Sequence, residues 1–133
     1  MSEAKHYTKD FFNSIALDSF SSAKVILPIV NDVFKPSSVV DIGCGNGTSL
    51  KAWINELGVK DVLGVEGPYV QKESFQVPEN YIILKDLKEK IELGRRFSLA
   101  MSLEVAEHLP ESSAEGFVDL LTSLSDIVIF SAA

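Results

Sequence analysis

The sequence predicts an α/β fold in which short buried strands alternate with helices around a mainly parallel sheet. Three observations carry this expectation. Ser38-Val39-Val40-Asp41-Ile42 is a β-branched run that stops at glycines, as a buried parallel strand does before its turn. Four further short apolar segments, Val62–Glu66, Tyr81–Leu84, Ser98–Ser102 and Asp126–Ser131, have strand length and character. Helical periodicities separate them, and strands alternating with helices imply parallel pairing through right-handed crossovers.

Taken in order, residues 1–10 form a polar start that is expected to be flexible, and residues 11–133 one domain. Phe20, Ala23, Leu27, Val30 and Phe34 recur at three-four spacing and make one stripe on a helix. Pro28 should kink or divide that helix, and Pro36 ends it. After the first strand, Leu50, Trp53, Ile54 and Leu57 form a second helical stripe, with Gly58 at the C-terminal cap. Ser112 with Glu115 resembles a capping box opening a third helix, whose apolar face is Phe117, Leu120, Leu121 and Leu124. The connections Pro68–Asn80 and Leu87–Arg96 hold at most short helices.

Composition narrows the function classes. With 46% hydrophobic residues in 133, the chain can close a core. Its longest apolar runs, such as Val25–Val30, are far too short to span a bilayer. One cysteine, Cys44, excludes an internal disulfide, and the start Met1–His6 lacks a secretory signal, so a cytoplasmic protein is expected. A net charge of −7 is the opposite of a phosphate-backbone footprint, which makes nucleic acid an unlikely partner. The adjacent Arg95 and Arg96 are given no role.

The segment Asp41-Ile42-Gly43-Cys44-Gly45-Asn46-Gly47 leaves a strand and enters a helix, so its backbone can approach a ligand closely. Its spacing departs from the dinucleotide pattern, which needs a third glycine where Thr48 stands. Glu66 closes the second strand, nineteen positions after Gly47, where a carboxylate can accept from both hydroxyls of a ribose. Asp86 and the Leu87 amide, just past the third strand, could address an adenine edge.

These residues resemble the class I S-adenosylmethionine-dependent methyltransferases. The resemblance covers nearly the whole chain: Val39–Leu50 as the glycine motif, Gly64–Gly67 as the ribose strand, Lys85–Leu87 as the adenine corner, and Phe97–Pro110 as the fourth-strand motif. It implies a Rossmann-like methyltransferase core of about five strands in the order 3-2-1-4-5, with flanking helices. By the same resemblance Asp41 holds the loop or the methionine amino group. Gly43, Gly45 and Gly47 form the cofactor loop, Glu66 binds the ribose, Asp86 and Leu87 the adenine, and Ser102 and Leu103 flank the cofactor. Ser98 departs from the aspartate that many members carry, and the family usually continues through two strands beyond the fifth, so the chain is expected to be C-terminally truncated.

The implied reaction is methyl transfer to a small-molecule acceptor, which needs alignment and exclusion of water rather than a nucleophilic side chain. Cys44 is accordingly expected to be a packed residue. If the acceptor loses a proton, Glu104, Glu107 and His108 beyond strand four are the candidate bases. On a helical turn these three would share one side and could hold Mg2+, an arrangement similar to that of some family members. The alternative is that they only start a helix and face water. A second function class stays open, a cofactor-binding unit with no catalysis of its own. A nicotinamide-dependent oxidoreductase fails at Thr48. An exposed edge on the fifth strand would favour a homodimer.

Overall fold

In the computed structural model, which describes residues 25–132, the first predicted strand spans Ser38–Ile42 (β1) and is buried at all five positions. The others are Asp61–Glu66 (β2), Ile82–Leu84 (β3), Leu99–Leu103 (β4) and Val128–Ser131 (β5). All four neighbouring pairs run parallel, in the order β3-β2-β1-β4-β5. This is the expected order. β3 begins one residue late because Tyr81 closes a 3-10 turn, its amide donating to the Pro78 carbonyl.

Helices cover both faces. Residues 25–34 are helical (α1), Thr48–Asn55 form α2, and Ala114–Leu124 form α3. α1 continues across Pro28 rather than dividing there, and Lys35, at φ 45, closes it before Pro36. Leu27 and Val30 of the predicted stripe are buried, whereas Phe34 at the helix end is not. Phe20, Ala23 and the first ten residues lie outside the described region. At the end of α2, Gly58 takes φ 73 and the Val59 amide reaches back to the Trp53 carbonyl, a left-handed cap of the kind glycine adopts without strain. The capping box at α3 does not form: a 3-10 turn, Glu111–Ser113, precedes the helix, and no side chain caps it.

Side-chain alternation divides the core in two. Val39, Leu99 and Met101 pack with Leu27, Leu50 and Trp53 on one face of the sheet, and Val40, Ile42 and Ala100 pack with Phe117, Leu121 and Leu124 on the other. Trp53 donates its indole N–H to Met101 Sδ across the first layer. Ser98 has a structural task. It donates its hydroxyl to the Ser38 carbonyl, accepts from the Ser38 amide and donates its own amide to Ser38 Oγ, tying together the starts of β1 and β4. That end of the sheet lies opposite the glycine loop. Arg95 and Arg96 pair with Asp61 and Asp126 at the starts of β2 and β5, exposed contacts of small energetic weight.

Gly64, in the middle of β2, supplies the space in which the glycine loop sits. A Cβ there would lie 2.5 Å from Cys44 Sγ and 2.7 Å from Leu50 Cδ1. Overpacking of this kind costs about 1–3 kcal/mol, so Gly64→Ala is expected to lower the melting temperature by roughly 3–10 °C. A melting curve by circular dichroism that matches wild type would remove Gly64 from the packing of the loop.

Candidate functional site

The strand order turns back on itself between β1 and β4, and in open parallel sheets ligands bind beyond the carboxyl ends of the strands at such a point. The residues after β1, β2 and β4 therefore form the candidate site.

After β1 the chain turns on three glycines in the left-handed region, Gly43 at φ 85, Gly45 at φ 58 and Gly47 at φ 91. The Gly43 and Cys44 amides donate to the Val65 carbonyl, and the Gly47 amide donates to the Cys44 carbonyl, so the turn is fastened to the end of β2. A Cβ on Gly43 would collide with Val105 at 2.4 Å, whereas one on Gly45 would meet nothing within 4 Å. Gly43 thus seats the turn against the segment after β4, and Gly45 borders open space. Cys44 is buried among apolar groups, and burial, with the charges of Asp41 and Glu66 adding to it, drives its thiol far above the ordinary range. It packs; it is no nucleophile.

Glu66 is 7% exposed, and its carboxylate gathers the loops around it. Oε2 accepts from the Gly45 amide at 2.8 Å, while Oε1 accepts from the Gly67 amide at 2.8 Å and the Tyr69 hydroxyl at 2.9 Å. Asp41 lies opposite Gly64 in the register of β1 and β2 and is 4% exposed. Burial first, and the Glu66 charge second, push its carboxyl from 3.8 up to about 7, with no hydrogen bond among the described residues to offset them. Among the described residues the side chain makes no hydrogen bond to the loop, one of the two roles expected of it.

The Glu66 carbonyl accepts from the Lys85 amide, which brings Asp86 and Leu87 to the same end of the sheet. Leu87 is buried, and Asp86 Oδ1 accepts from the Lys88 amide at 2.9 Å. The charge of Asp86 contributes to the field at Tyr69. At the end of β4, Ser102 is fully buried, and its hydroxyl has no hydrogen-bond partner among the described residues. Leu103 is partly buried against the Trp53 layer.

The expected metal face is corrected. Glu104 takes a left-handed φ of 56, its amide tied to the Ser131 carbonyl at 2.9 Å, and the following turn is a 3-10 turn over Ala106–His108. Residues 104 and 108 therefore do not sit one helical turn apart on a common face, and among the described residues no group of three His, Cys, Asp or Glu side chains could hold a metal ion. The described residues do not fit magnesium.

Among the described residues, the Asp41 carboxylate without a donor, the buried Ser102 hydroxyl without a partner and the space beside Gly45 leave room and bonding that a charged nucleoside would complete. Two neighbours escaped the sequence reading, Val105 against Gly43 and Tyr69 on Glu66. The only signal for Tyr69 was its position three residues past the acidic strand end.

No protein-family model matches the sequence, and no curated protein matches it. Solved structures do. The methyltransferase domain of bacterial CtHen1 superposes with a TM-score of 0.66 at 22% identity, over 84% of this chain and 65% of that one. The sugar N-methyltransferase KedS8 from a Streptoalloteichus species gives 0.74 at 16% identity, over 96% and 54%. CalS10, an amino pentose methyltransferase from Micromonospora echinaspora in its SAM-bound form, gives 0.60 at 15% identity, over 90% and 50%. The chain spans about half to two thirds of the length of these proteins. Its five parallel strands in the order 3-2-1-4-5 and their flanking helices are the Rossmann-like fold of S-adenosylmethionine-dependent methyltransferases.

Proposed function

We propose that this chain binds S-adenosylmethionine beyond the carboxyl ends of β1, β2 and β4 and serves methyl transfer to a small-molecule acceptor. The observation that carries the reading is the pair of buried carboxylates, Asp41 and Glu66, beside a glycine-rich turn whose Gly45 amide donates to Glu66. Glu66 would accept from the ribose and Asp41 would face the methionine ammonium. Gly43, Gly45 and Gly47 keep side chains out of the path, Ser102 and Leu103 flank the cofactor, and Asp86 and Leu87 border the adenine. The cofactor, when bound, supplies a methyl carbon already activated by a positively charged sulfur.

The protein's own contribution is alignment of the acceptor and exclusion of water. Proton removal from an acceptor hydroxyl or amine falls to Glu104, Glu107 or His108, which follow β4 directly. The solved sugar and amino pentose methyltransferases of the same fold support a small-molecule acceptor. No helix among the described residues is long and apolar enough to cross a membrane, in keeping with a cytoplasmic site of action. The outer edge of β5, with Phe130 exposed, supports a homodimer, which a monomeric mass by light scattering would remove.

Two titrations and one assay test the reading. S-adenosylhomocysteine is expected to bind in the calorimeter where NADH does not, and preference for NADH would overturn the cofactor. Incubation with methyl-labelled donor and a panel of phenols, amines and carboxylic acids is expected to label one acceptor class. Binding without any transfer would leave a cofactor-binding unit and remove the enzymatic part.

A further inference from the structure

Tyr69 is 78% exposed, yet its hydroxyl donates to a carboxylate that is itself 7% exposed. Its ring fills the space above Gly67, where a Cβ would lie 2.1 Å from Tyr69 Cε1 and 2.8 Å from Cζ. The absence of a side chain at 67 is thus what lets the ring reach Glu66. Although most of the side chain is exposed, its hydroxyl end is part-buried against Glu66, and that local burial, and then the charge of Glu66, hold the phenol above its ordinary range, so it remains a donor.

An ionised carboxylate offers about four acceptor positions. On Glu66 three are taken: Oε1 by the Gly67 amide and the Tyr69 hydroxyl, and Oε2 by the Gly45 amide. A single position on Oε2 remains. A ribose with both of its neighbouring hydroxyls donating to Glu66 needs two, so one present donor must leave. The two amides belong to backbone fixed by the loop and by the end of β2. Tyr69 is an exposed side chain, free to turn about its own bonds.

We propose that Tyr69 is a ribose surrogate, its hydroxyl holding the second sugar position on Glu66 and giving way when a cis-diol nucleoside binds. The proposal rests on the nucleoside reading of the site and adds a selectivity to it. A ligand with one sugar hydroxyl takes the remaining Oε2 position and leaves Tyr69 where it is. A ligand with two competes with the phenol.

Calorimetry on wild type, Tyr69→Phe and Gly67→Ala, with S-adenosylhomocysteine and its 2′-deoxy analogue, tests this. Removing one hydrogen bond to a charged acceptor should tighten S-adenosylhomocysteine binding by about tenfold or more in Tyr69→Phe. The affinity for the 2′-deoxy analogue should change less than about twofold, because that ligand does not compete. Gly67→Ala, which expels the ring by steric contact, should move in the same direction as Tyr69→Phe. In wild type labelled with 3-fluorotyrosine, the fluorine resonance that Tyr69→Phe deletes should shift with the same saturation curve as the heat. If Tyr69→Phe binds S-adenosylhomocysteine as wild type does or more weakly, or if that resonance stays still on saturation, the surrogate role is overturned while the nucleoside site stands. If wild type binds neither nucleoside, both fall together.

Discussion

Glu66→Ala is expected to weaken S-adenosylhomocysteine binding by at least about 100-fold, since two hydrogen bonds to a charged acceptor are together worth about 3 kcal/mol or more. The reason lies in what converges on this carboxylate. It is buried at the end of β2, and the Gly45 amide, the Gly67 amide and the Tyr69 hydroxyl all point their hydrogens at it. Truncation would remove the acceptor proposed for the sugar and leave the Gly45 and Gly67 amides without theirs, so the glycine turn loses one of its ties to β2 and keeps those from the Gly43 and Cys44 amides to the Val65 carbonyl. Glu66→Gln separates the two effects. Its amide retains one acceptor oxygen and nearly the same volume, so folding is largely kept, while one of its two terminal atoms can no longer accept. Binding should fall between wild type and Glu66→Ala. Calorimetry measures the affinity, and a thermal melt reports whether the variant is folded. Wild-type affinity in a folded Glu66→Ala protein would remove Glu66 from the site.

The second large effect is in pH. Asp41 titrates at about 7 in the folded protein and at 3.8 without the fold, so between those values the native state holds a proton that the unfolded state has released. Stability from this group is therefore greatest below pH 3.8, declines as pH rises toward 7, and stays lower above it. The decline is on the order of a few kcal/mol. Binding should show the opposite trend. An ammonium beside Asp41 favours the ionised carboxylate, so affinity for S-adenosylhomocysteine should fall below pH 7 by up to about tenfold per unit. Asp41→Asn should flatten both profiles, the melt and the calorimetric affinity, and should bind more weakly at pH 8. Since the Glu66 charge is one of the two causes raising Asp41, Glu66→Gln should shift the stability profile toward acid. A binding profile flat from pH 5 to 8 in wild type would mean that Asp41 does not meet a cation.

The strands and the glycine turn were legible because their signals are local. The β-branched run of β1, the left-handed turns that follow it, and the acidic end of β2 depend on backbone preferences within a few residues, and each lies where it was expected. The capping box at Ser112 and the metal face at Glu104, Glu107 and His108 were local inferences too, and both failed for one reason. Each assumed regular α-helical geometry, and the chain instead makes 3-10 turns at Glu111–Ser113 and Ala106–His108, the latter preceded by a left-handed Glu104. Glu104 adopts that strained conformation because its amide is bound to Ser131 at the end of β5, a partner far away in sequence.

The sequence by itself determined the alternation of strands and helices, the glycine turn and the carboxylate that closes β2 beside it, since these follow from spacing and side-chain type along the chain. Tertiary structure alone decided which groups touch: Gly64 making room for Cys44, Val105 seating Gly43, Asp41 raised beside Glu66, and Tyr69 occupying the carboxylate. Those contacts join segments carried together by parallel strand pairing, and no periodicity within one segment records which side chain a neighbouring strand will bring.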